Sequence, residues 1–180
     1  KMMRLTGTVL WALVLSANVA SAVGSDDTQP PAPTPTSTDC PDGQVWDEKS
    51  KACLEADSSN LTDEQRYLAV RELAYAGHYD AARIVLDAMP PRSDAVLTYR
   101  GFIARKEGDW LGALDSYNRA LEANPDNILA RSYLGQGLAL RGEMAAAERE
   151  LAEIRKRGGS GTWAEAALVD ALATGRSYDY

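Results

Sequence analysis

Cys40 and Cys53 are the residues of this 180-residue chain best suited to covalent chemistry. Their spacing is not Cys-x-x-Cys, so a redox-active pair is a poor reading. Zinc needs four ligands, and His78 is the only histidine that could join them. Two cysteines in an exported chain pair as a disulfide, and closing a loop of this length contributes about 3 kcal/mol by chain-entropy reasoning. We therefore expect a structural Cys40–Cys53 bridge. His78 falls at a turn between two helical patterns, a place for capping or solvent. Gly158-Gly159-Ser160-Gly161 has neither the preceding strand nor the following Lys of a phosphate loop. Gly135-x-Gly137 sits inside a helical pattern and lacks that context too. No catalytic, cofactor or metal set emerges, and we expect a non-enzymatic protein.

The N-terminal pattern leads us to expect those cysteines outside the cytoplasm. Lys1 and Arg4 precede the apolar run Val9-Leu10-Trp11-Ala12-Leu13-Val14-Leu15, and Ala20-Ser21-Ala22 supplies a small-x-small site. This is the pattern of a secretory signal, residues 1–22, cleaved after Ala22. An uncleaved anchor is the other reading, although Ser16 and Asn18 interrupt the run. Export to the periplasm is the expectation.

Residues 23–39 follow, with Pro30, Pro31, Pro33 and Pro35 among Thr and Ser, a composition that predicts an extended, solvated spacer. The disulfide loop spans 40–57, and we place it outside the helical core, with a boundary near Leu61. The chain carries 19 basic and 26 acidic residues, a formal charge of −7. Such a balance argues against nucleic acid and against anionic membrane surfaces.

From Leu61 onwards the pattern is helical and repeats. Tyr99 returns as Tyr133, Gly101 as Gly135, Gly108 as Gly142 and Ala113 as Ala147, each 34 residues on. A fixed period of this size marks stacked supersecondary units, none of which can bury its apolar face alone. One unit reads Leu97-x-x-Arg100-Gly101-x-x-Ala104, Ala113-x-x-x-Tyr117, Ala120 and Pro125. It resembles the tetratricopeptide repeat of exported bacterial proteins. Leu134-Gly135-x-x-Leu138 with Ala147-x-x-x-Leu151, and Ala69-Val70-x-x-Leu73 with Ala82-x-x-x-Leu86, are degenerate neighbours. Gly101 and Gly135 lie mid-helix, where Gly costs roughly 1 kcal/mol relative to Ala. Their recurrence argues for close approach between the two helices of a unit.

Thr62-Asp63-Glu64-Gln65 fits a capping box, opening a helix that runs to about Ala76. Further helices are expected over 79–88, 93–106, 109–123, 127–140 and 143–156. A second box, Thr162-Trp163-Ala164-Glu165, opens a last helix that ends at Gly175. The fold class is thus all-α: a short helical solenoid of seven helices, with three repeat-like pairs over 58–157 and a capping helix with tail over 158–180. Gly158–Gly161 reads as a flexible joint before that cap.

The resemblance implies a groove lined by the first helix of each pair, one that takes a peptide or partner protein. Carried over position by position, it would be lined by Tyr67, Arg71, Thr98, Phe102, Arg105, Ser132 and Gln136. Arg71 and Arg105 suit carboxylates. The same residues could instead serve packing between repeats, and the full carboxylate clamp of repeats that grip acidic C-termini is not present as a set. The expected partner is a protein or peptide, with no small-molecule substrate. Self-association through the Tyr178-Asp179-Tyr180 tail is the alternative.

Overall fold

The structure, a computed structural model, describes residues 30–177. The expected signal peptide, residues 23–29 of the spacer and Tyr178-Asp179-Tyr180 lie outside the described residues. Among the described residues, eight helices and one strand pair follow in the order α1 (Pro35–Thr38), β1 (Gln44–Asp47), β2 (Ala52–Glu55), α2 (Asp63–Tyr75), α3 (Tyr79–Asp87), α4 (Asp94–Lys106), α5 (Trp110–Ala123), α6 (Ile128–Leu140), α7 (Met144–Lys156) and α8 (Trp163–Thr174). The molecule is mostly helical.

Local chemistry sets the helix ends. The Thr62 hydroxyl accepts from the Gln65 N–H at 3.2 Å, and the Gln65 carboxamide accepts from the Thr62 N–H at 2.9 Å, completing the box that opens α2. At α8 only half of the expected box forms. Thr162 accepts from the Glu165 N–H, but the Glu165 carboxylate takes the Gly161 N–H at 2.7 Å and Arg155 at 2.6 Å. Gly108 and Gly142 close α4 and α6 with φ of 87° and 78°, a conformation that L side chains resist. This explains their recurrence in the 34-residue register.

Helices pack in chain order: α3 on α2, α5 on α4, α7 on α6, and α8 on both α6 and α7. The first helices of successive pairs, α2, α4, α6 and α8, also touch one another. Tyr99 on α4, Tyr117 on α5 and Tyr133 on α6 are fully buried. The two mid-helix glycines do different jobs. A Cβ on Gly101 would stand 2.6 Å from Cε1 of Tyr117 on the paired helix α5, as the register suggests. A Cβ on Gly135 would stand 2.7 Å from Cδ2 of Leu168, on α8 rather than on the paired helix α7.

Two expectations change at the N-terminal end. The segment 40–57 is an antiparallel hairpin closed by the Cys40–Cys53 disulfide, with Trp46 opposite Cys53. It does not stand apart from the helices. Val45, Ala56 and Leu61 belong to the same buried cluster as α2 and α3, and Gln65 on α2 donates to Asp47 on β1 at 3.0 Å. Arg66 clamps the connection, donating to the carbonyls of Ala56 at 2.7 Å, Ser58 at 2.7 Å and Leu61 at 3.0 Å.

The end of the expected spacer is also held. The Glu72 carboxylate on α2 accepts from the Thr34 N–H at 2.8 Å, the Ser37 N–H at 2.9 Å and the Thr34 hydroxyl. It thereby seats α1 against α2, so residues 34–38 are not solvated chain. Gly158–Gly161 forms a tight turn, with Gly159 buried against Ile154.

Candidate functional site

The face shared by the first helices of the pairs gathers most of the aromatic and cationic groups singled out above. On α2, Tyr67, Arg71 and Tyr75 recur every four residues and therefore share one side of the helix. On α4 the same face carries Tyr99, Phe102, Arg105 and Lys106, and α6 adds Tyr133. Phe102 sits at the centre, 5.2 Å from the Tyr75 ring, 6.0 Å from Tyr99 and 4.9 Å from Tyr133. Trp163, at the start of α8, meets Tyr75 edge-on at 5.7 Å and so joins the last helix to the first pair. Ring pairs at these separations contribute about 0.5–1.5 kcal/mol each beyond area burial.

Cations stand over the rings. The guanidinium of Arg105 lies 5.5 Å from the Phe102 centroid, the Lys106 ammonium 5.7 Å from it, and Arg71 5.8 Å from the Tyr67 centroid. Burial disfavours the Arg71 charge, but Tyr99, Tyr67 and Tyr133 around it more than compensate, so its pKa is raised. Burial first, then Tyr75 and Tyr99, push the Tyr133 phenol well above its usual range. It therefore stays neutral and shares hydrogen bonds with both hydroxyls. The Arg105 Nε approaches the Tyr117 hydroxyl at 3.4 Å, while its Nη2 is buried with no hydrogen-bond partner among the described residues. A buried donor of that kind loses about 1–3 kcal/mol until something accepts from it. A carboxylate is the acceptor that matches a guanidinium best.

The seven residues carried over from the repeat resemblance divide into two groups. Tyr67, Arg71, Phe102 and Arg105 belong to the ring-and-cation cluster. Thr98, Ser132 and Gln136 turn to packing instead. Thr98 donates to the Asp94 carbonyl at 2.7 Å and accepts from Asn127 at 3.1 Å. Ser132 donates to the Ala164 carbonyl of α8 at 2.6 Å and accepts from Gln136 at 3.1 Å. Six of the seven are buried, and Arg105 is half-buried. Sequence reasoning passed over Tyr75, Lys106, Tyr133 and Trp163 as site residues. Tyr99 and Tyr133 had the 34-residue register as a signal, but it served to fix the period only.

His78 is exposed at the start of α3 and makes no side-chain capping bond. Among the described residues no group of three or more His, Cys, Asp or Glu side chains could hold a metal ion. Among them, too, no helix is long and apolar enough to cross a membrane. Comparison with protein-family models, with curated proteins and with solved structures gives no match to this chain.

Proposed function

We propose that the chain is a non-enzymatic interaction scaffold of the cell envelope, built as a short solenoid of tetratricopeptide type. On this reading the face of α2, α4 and α6 takes a peptide or partner protein bearing a carboxylate. The observation that carries it is the buried Nη2 of Arg105, without a hydrogen-bond partner among the described residues, beside the Phe102 ring, with Arg71 and Lys106 on the same face. Support for the architecture comes from the 34-residue register together with helix pairs that pack in chain order. Export to the periplasm rests on the N-terminal pattern, and the Cys40–Cys53 bridge suits an oxidising compartment.

The test is affinity recovery from envelope extracts with the wild type, Arg105→Gln and Phe102→Leu, each first checked for folding by circular dichroism. The reading predicts one partner recovered by the wild type and lost from Arg105→Gln. Recovery of nothing but the protein itself, or of the same partner by all three, counts against it.

A further inference from the structure

Each of α2, α4 and α6 has a following helix packed on it, whereas among the described residues none follows α8. The gap is an open groove of about 490 Å³ between α7 and α8. Leu151 and Ala152 form one wall and Val169 and Leu172 the other, and Val169 is 41% exposed. Glu148 and Arg155 bracket the groove along α7.

The two charges lie seven residues apart, two helical turns or about 10 Å on one side of α7. Their midpoint falls between Leu151 and Ala152, in the apolar wall itself. An antiparallel copy of α7 laid across that midpoint brings Glu148 of each chain to Arg155 of the other. Both pairs form at once, as a twofold interface requires. Arg155 spends its Nε on Glu165 at 2.6 Å. Its terminal nitrogens, and the exposed Glu148, have no partner among the described residues.

We propose that the protein forms a closed twofold dimer, each copy covering the α7–α8 groove of the other. This surface is separate from the face of α2, α4 and α6. Sedimentation equilibrium over a wide concentration range tests it. The wild type should reach a plateau at twice the chain mass. Glu148→Arg and Arg155→Glu should each weaken dimerisation about tenfold, since a twofold axis counts every pair twice. The double exchange should restore it, and Val169→Asp should leave a folded monomer by circular dichroism. A monomer at every concentration overturns the proposal, and so does a mass that climbs past the dimer. A dimer indifferent to both single changes, or one the double exchange fails to restore, overturns it as well.

Discussion

The Gln65 carboxamide of α2 donates to the Asp47 carboxylate of β1 across 3.0 Å, and so fixes the disulfide hairpin to the first helix. The hairpin is therefore a wall of the helical core rather than a separate module, and its bridge should matter to the whole fold. Closure of a loop this long contributes about 3 kcal/mol, which corresponds to a fall in Tm of about 6–12 °C for a domain of this size. We expect reduction of Cys40–Cys53 to lower Tm by that order in a circular-dichroism melt. An unchanged melt would return the hairpin to the status of an appendage.

The same carboxylate makes the junction acid-sensitive. Hydrogen bonds from Ser50, first through its side chain and then its backbone, with Gln65 and the Lys49 backbone, hold the Asp47 carboxyl at about 2 against an ordinary 3.8. A pKa depressed on folding contributes stability that is fully present above the unfolded value. That contribution disappears as pH falls through the folded value. The Tm difference between wild type and Asp47→Asn should thus be greatest near neutrality and shrink between about pH 4 and pH 2. A difference independent of pH would mean that Asp47 acts through shape alone.

Replacing Gly101 with Leu should force α4 away from α5, because Tyr117 is fully buried where the new side chain would go. Overpacking of this kind costs about 1–3 kcal/mol, measurable as a lower urea midpoint with an unchanged m value. A silent substitution would show that the two helices are not held at close approach.

Ser132 and Arg105 came from one resemblance, yet they should fail differently. Ser132→Ala leaves the Ala164 carbonyl and the Gln136 amide without their partner, a loss of about 1–3 kcal/mol. The folded variant should still bind. Arg105→Gln should change stability little and abolish partner recovery. Equal loss of binding in both, at matched stability, would erase the distinction drawn between them.

Much of this fold is legible in the chain because its determinants are local. Thr62 and Gln65 announce α2, Pro90-Pro91 separates α3 from α4, and the predicted helix ends fall within a residue or two of those observed. What escaped is nonlocal. Residues 34–38 read as spacer because Glu72, which seats them, lies 38 residues from Thr34. Gln44-Val45-Trp46-Asp47 is too short for its alternation to register as a strand. For the candidate site, the resemblance named Phe102 and Arg105, which α4 brings together. It could not tell a side chain of the ring-and-cation cluster from one, like Ser132, that bonds the next helix. Nor could it foresee Trp163 reaching Tyr75, a contact between the last helix and the first pair.

The central claim, that the face of α2, α4 and α6 is where a partner binds, is tested most directly by photo-crosslinking in intact cells. A photoreactive amino acid replaces Lys106, beside Phe102 on that face, or Leu111, which is 78% exposed on α5. The account predicts a discrete crosslinked species from position 106, lost when Arg105→Gln is added, and none from position 111. Crosslinks of equal yield from both positions, or from 111 alone, would contradict it.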